Sequence, residues 1–245
     1  MRRSASLALA AAALPIPPIG GQPDPPPPDS GQQPATATPK HVPLSDERSV
    51  TRVAGALERA PVRAKPDAKS ALRSRLRFFT EDGRPEVYLA LESYDGWVRV
   101  RLPMRPNGQT GWVRRSALGR FKVVHTFLSV DRRRLRATLL RSGKPVWSAP
   151  VGVGKRGTGT PGGRFYVRER IRVRGHGSLY GPIAFGTSAY SRLSDWPGGG
   201  VVGIHGTNQP ALIPGRPSHG CVRLRNRSIL RLARLMPIGT PVRIR

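Results

Sequence analysis

The residues of this chain best suited to chemistry gather around one thiol. Cys221 is the sole cysteine among 245 residues, and it lies in the stretch Ser218-His219-Gly220-Cys221-Val222-Arg223-Leu224. Sixteen positions earlier stands His205, in Ile204-His205-Gly206-Thr207, so two of the five histidines converge on the thiol. A cysteine nucleophile needs a base to take its proton, a group to orient that base, and amide donors for the oxyanion of a tetrahedral intermediate. Gly220 allows close backbone approach to a substrate, as an amide-built oxyanion site requires. Two other assignments stay open on spacing alone. A free cysteine often serves as a small buried apolar residue. His205, His219 and Cys221 could also supply three ligands of a catalytic zinc. Nucleotide binding is excluded, because the loop from Gly152 to Gly163 lacks the Lys-Ser/Thr pair opening a helix and runs through Thr160-Pro161 into a strand.

The elements around these residues read as strands. Between Val50 and Leu118 short runs alternate with period two. Trp97 to Leu102 is the clearest, with a turn at Asp95-Gly96 before it and a hairpin at Asn107-Gly108 after it. From Phe121 onward alternation returns at Arg134–Leu140 and Phe165–Arg172, with a further strand expected at Lys144–Val151 after a turn at Ser142-Gly143. One helix is expected, at 227–236, from apolar residues at helical spacing. The expectation is a mainly β chain: a small N-terminal barrel, then a β-sandwich with one short helix. The two are expected to separate, the second keeping its thiol chemistry when isolated.

Charge and the N-terminus bear on location. With 42 Lys and Arg against 14 Asp and Glu, the formal net charge is +28. Such a balance suits nucleic acid or an anionic extracytoplasmic surface. The basic residues are scattered, mostly Arg, without a long basic run, so nucleic acid is not expected as a partner. Residues 1–20 begin Met1-Arg2-Arg3 and continue into an apolar run from Ala5 to Leu14, the shape of an export signal or membrane anchor. Residues 21–50 are rich in proline, including Pro25 to Pro28, and are expected to be a disordered spacer.

Two resemblances sharpen this. The pair of segments "DGWVRVRL" and "GQTGWVRRSAL" within 51–119 resembles a bacterial SH3-like domain, with Trp97 and Trp112 expected in its core. The stretches "GTGTPGGRFYVRE", "YGPIAFGTSAYS" and "IHGT…GRPSHGCVRLRN" within 121–245 resemble the L,D-transpeptidase catalytic domain of the YkuD type. That resemblance implies a metal-independent enzyme without a cofactor. It makes Cys221 the nucleophile and His205 the general base and acid, oriented by the backbone carbonyl of Gly206. It makes His219 and the Gly220 amide parts of the oxyanion site, with Ser218, Arg223 and Tyr180 around the substrate. The implied reaction joins peptidoglycan stem peptides through a thioester, with a tetrapeptide donor.

With the N-terminal signal and the +28 charge, the expectation is a wall-associated monomer, secreted or membrane-anchored, whose positive charge favours anionic wall polymers or a membrane surface. An L,D-carboxypeptidase, a transferase attaching proteins to the wall, and a non-catalytic wall-binding protein are the alternatives. A papain-like peptidase is disfavoured, because its cysteine precedes its histidine in the chain.

Overall fold

Alternating apolar side chains set the strands. In the first stretch Val98 and Val100 are wholly buried, while Arg99 and Arg101 between and after them are only partly buried. The structure, a computed structural model, describes residues 40–175, 177–195 and 197–245. The expected signal at 1–20 and most of the spacer at 21–50 lie outside the described residues. Pro39–Arg245 forms one unit by its internal contacts.

Eight strands make the first sheet: β1 (Val42–Pro43), β2 (Thr51–Ala54), β3 (Pro61–Arg63), β4 (Leu72–Arg75), β5 (Tyr88–Tyr94), β6 (Trp97–Arg101), β7 (Thr110–Arg114) and β8 (Lys122–Val124). They run in the order β4-β3-β7-β6-β5-β2-β8, with β1 paired to β5. Trp97 and Trp112 are both buried here.

Ten strands make the second sheet. They are β9 (Thr126–Asp131), β10 (Arg136–Arg141), β11 (Lys144–Pro150), β12 (Gly152–Gly154), β13 (Gly163–Arg172), β14 (Ile183–Tyr190), β15 (Val201–His205), β16 (Gly215–Ser218), β17 (Val222–Arg223) and β18 (Pro241–Ile244). The order is β11-β10-β9-β18-β13-β14-β15-β17-β12-β16. The long strand β13 joins two groups. Its first half pairs with β18 and its second half with β14, with an irregularity between Val167 and Glu169. Leu128, Leu139 and Val242 from one group meet Phe185, Ile204 and Val222 from the other in one core. The one α-helix among the described residues, α1 (Asn226–Leu235), turns Ile229, Leu232 and Ala233 toward that core. The chain is therefore mainly β with one helix, which starts and ends one residue earlier than expected.

The independence expected of the second stretch does not fit its packing. Arg168, on β13, is completely buried, and its carboxylate partners belong to the first stretch. Its Nε donates to Glu86 Oε1 at 2.9 Å, its Nη2 bonds Glu86 Oε2, and Nη2 stands 2.9 Å from Glu81 Oε2. Nearby, the Tyr166 hydroxyl donates to the Val87 carbonyl at 3.0 Å. Asn107, from the hairpin, clasps the backbone of Tyr190 through bonds of 2.8 and 2.9 Å. A buried guanidinium without its counter-charges carries a large desolvation penalty. Residues 121–245 alone would carry that penalty and are not expected to fold cooperatively. Glu86→Gln should lower unfolding stability by about 3 kcal/mol or more, since one partner of a buried pair is removed. Denaturant unfolding with an unchanged midpoint would contradict this.

Candidate active site

His205 ends β15 and Cys221 immediately precedes β17. These strands pair in parallel with His205 opposite Arg223, and the Leu224 amide donates to the His205 carbonyl at 2.8 Å. One register therefore fixes the distance along the sheet between the two groups. Gly203, two residues before His205, links them directly. Its amide donates to Cys221 Sγ at 3.3 Å. A methyl group added at Gly203 would lie 3.5 Å from the His205 ring and 3.7 Å from Cys221 Sγ, so only glycine leaves that space open.

The imidazole is held through one nitrogen and one ring face. His205 Nδ1 lies 2.6 Å from the Gly206 carbonyl oxygen. A carbonyl can only accept, so Nδ1 carries the hydrogen and Nε2 is left with its lone pair. Gly206 sits where a side chain would strike Asn226 Oδ1. That oxygen also accepts the Thr207 amide at 2.9 Å, so the first residue of α1 pins the segment after the histidine. The Tyr180 ring covers the imidazole, with centroids 4.8 Å apart.

The loop before the thiol is tied internally. Ser218, completely buried, donates from Oγ to the Cys221 carbonyl at 2.6 Å. The Gly220 amide donates back to Ser218 Oγ at 3.2 Å. This amide was expected to serve an oxyanion, but in this structure it is engaged by the loop. Gly220 is required for another reason as well. Its φ of +135° is a conformation side chains rarely adopt, and a Cβ there would press on Ser191. Arg223 donates to Gln209 Oε1 at 3.4 Å. His219, Ser218, Arg223 and Tyr180 line a small cavity of about 40 Å³ with Cys221 and His205. A second cavity of about 240 Å³ also opens on Cys221 and His205 and extends away over Gly203 and Gly186 to Asp82. Among the described residues, no three of His, Cys, Asp and Glu are placed to hold a metal ion.

Desolvation dominates the electrostatics. Burial lowers the His205 pKa to about 4, against the Gly206 carbonyl, which favours the protonated ring, and with the Arg223 charge, which disfavours it. Burial likewise pushes the Cys221 thiol above its usual value, opposed by the Gly203 amide and Arg223, which both favour the thiolate. At neutral pH the pair therefore rests as thiol and neutral imidazole.

Sequence reasoning missed Gly203 and Asp82 as site residues. A glycine inside an alternating strand marks a close approach of a ligand or another chain segment, and that signal was present at Gly203. Asp82 had none, being far from the motif in the chain.

Residues 125–244 match the family model of YkuD, the L,D-transpeptidase catalytic domain. Over 120 residues the chain is 35% identical to a Bacillus subtilis protein assigned as L,D-transpeptidase YkuD, covering 49% of this chain and 65% of that protein. A Bacillus licheniformis protein with the same assignment is 36% identical over 117 residues, 48% of this chain and 62% of its own length. The chain thus spans just under two thirds of the length of these relatives. A crystal structure of an Enterococcus faecium L,D-transpeptidase is similar at 27% identity and a TM-score of 0.39, over 49% of each chain.

The base must be neutral to accept a proton, and protonation removes it as pH falls. Cys221 acylation should therefore keep its His205-dependent rate through pH 6.5 and lose it only near pH 4. An acid limb centred near 6.5 in the pH profile would contradict the dry site described here.

Proposed function

We propose that this protein is a peptidoglycan L,D-transpeptidase that works through a thioester on Cys221. The observation that carries the reading is the neutral His205 tautomer, with Nδ1 donating to Gly206, beside a thiol positioned by the Gly203 amide. The family match over 125–244 supports the substrate class.

In this reading Cys221 Sγ attacks the carbonyl carbon of the donor stem peptide as His205 Nε2 takes the thiol proton. The carbon–nitrogen bond to the terminal residue breaks, and His205 returns the proton to the leaving amine. A thioester remains. The amine of a second stem attacks it, loses its proton to His205, and forms the cross-link as Sγ regains that proton. Water in place of the amine would give carboxypeptidase turnover. Arg223 and Tyr180 contact the donor, and His219 with the Cys221 amide receives the oxyanion. The protein acts outside the cytoplasm as a monomer. Its first sheet serves as an SH3-like lobe, and its positive charge draws it to anionic wall polymers.

Incubation with a carbapenem should add one inhibitor mass to the protein and none to Cys221→Ala, which should also lose cross-link formation on purified muropeptides while remaining folded. Acylation or cross-linking by the alanine variant would overturn the reading, as would failure of the native protein to form an adduct.

A further inference from the structure

Six cationic side chains line one open groove of about 980 Å³, and among the described residues no Asp or Glu lines it. Arg105 comes from the β6–β7 hairpin, Arg132 follows β9, Lys155 and Arg156 follow β12, Arg192 follows β14, and Arg216 sits on β16. A recess of about 180 Å³ continues the groove from Arg132 and Arg216 to Arg133 and Arg245. Ser191 lines both the groove and the small cavity at Cys221, but neither Cys221 nor His205 lines the groove. It therefore adjoins the thiol site without being part of it.

Among the described residues none of the six cations is in an ion pair. Three of them are instead set in place by main-chain carbonyls, which position the charge without neutralising it. Arg105 Nη2 lies 3.0 to 3.3 Å from the carbonyl oxygens of Ser191, Leu193 and Gly199. Arg132 Nη1 donates to the Thr160 carbonyl at 2.7 Å, and Arg216 Nη2 donates to the Arg132 carbonyl at 3.0 Å. Lys155, Arg156 and Arg192 are exposed, and their side chains bond to nothing among the described residues. Like charges held together in this way repel one another, and a bound anion relieves that repulsion.

The lining selects the anion. Cations spread along an open groove suit a strand of repeating charges better than a single ion. Proteins hold single-stranded nucleic acid by stacking bases on aromatic rings. The one aromatic residue here, Tyr190, is buried, with the Arg105 guanidinium over its ring. No exposed large apolar side chain lines the groove to enter a lipid layer. Both flat edges of a guanidinium include Nη2, which Arg105 gives to carbonyls. Single contacts to tetrahedral phosphate oxygens therefore suit Arg105 better than the two-bond clamp on a planar carboxylate. We infer that this groove binds a linear phosphodiester polymer without bases, a polyol phosphate of the wall. The inference rests on the attraction to anionic wall polymers proposed above and gives it a place and a chemistry. It does not depend on the thiol reaction.

The test is binding of the full chain to a fluorescent poly(glycerol phosphate) oligomer, followed by anisotropy over a series of salt concentrations. Native affinity should fall as salt rises, because binding releases counterions. The triple variant Lys155→Gln, Arg156→Gln, Arg192→Gln should bind about tenfold or more weaker and with a flatter salt dependence. A control triple variant, Arg75→Gln, Arg141→Gln, Arg231→Gln, removes the same charge from exposed positions outside the groove. It should lose about threefold at most, since distant surface charges are screened. All six substitutions fall on exposed side chains, so both variants should keep the native unfolding midpoint. Polyglutamate and single-stranded DNA of matched charge should compete poorly with the oligomer. Equal losses in the two triple variants would overturn the groove and leave the general charge attraction standing. Competition by polyglutamate or DNA as strong as by unlabelled oligomer would overturn the polyol phosphate assignment. No binding by the native protein would overturn both the groove and the attraction it rests on.

Discussion

The parallel pairing of β15 with β17 is the constraint on which the site depends. It sets His205 opposite Arg223, so the thiol one residue before β17 and the imidazole at the end of β15 meet over Gly203. A one-residue slip would turn every side chain of the short strand to the other face and separate the two groups. The surrounding bonds can be understood as protection of that register. Ser218 locks the turn before Cys221, the Leu224 amide holds the strand after it, and Asn226 at the start of α1 fixes the segment after His205. The helix is short and carries no side-chain cap at Arg225. Its contribution to the site lies in that single side chain at its first turn.

The register also makes the site dry. His205 is 2% exposed, covered by Tyr180 and backed by the core that runs through Ile204 and Val222. Desolvation acts on both members of the pair in the direction of neutrality. It lowers the basicity of the imidazole and raises the thiol, and the Arg223 charge acts on both. A resting thiolate–imidazolium pair is thus disfavoured, and in the proposed reaction proton transfer accompanies attack. A thiol kept protonated is less open to oxidation, which follows thiolate character. The buried Arg168–Glu86 pair acts at a larger scale, because it couples the lobe carrying Asp82 to the sheet carrying the site.

Much of this was legible in the chain. The Ser-His-Gly-Cys turn and the earlier His-Gly named the two chemical groups, and alternation at Trp97–Leu102 and Phe165–Arg172 named the strands that became β6 and β13. What failed to show was anything decided by contacts between distant segments. Arg168 looked like one more scattered arginine, although its side chain is completely buried. Glu86 and Glu81, its partners, sit some eighty residues away. Gly220 was read as an oxyanion donor from its position beside the thiol, yet its amide is bonded to Ser218 and its positive φ gives the residue a conformational reason to be glycine. Gly203 and Gly186 carried a signal too weak to separate from ordinary strand glycines, because their meaning lies in facing each other across β14 and β15.

The central claim is that His205 and Cys221 rest uncharged and that, in the proposed reaction, the proton moves only with attack. Thiolate absorbance in the ultraviolet, followed against pH for the native protein and for Cys221→Ala, measures this directly. The native-minus-variant signal should be absent at neutral pH and rise only above the usual thiol range, because burial lifts the Cys221 pKa. A thiolate band at neutral pH that disappears in His205→Ala would mean a preformed ion pair and would contradict the account.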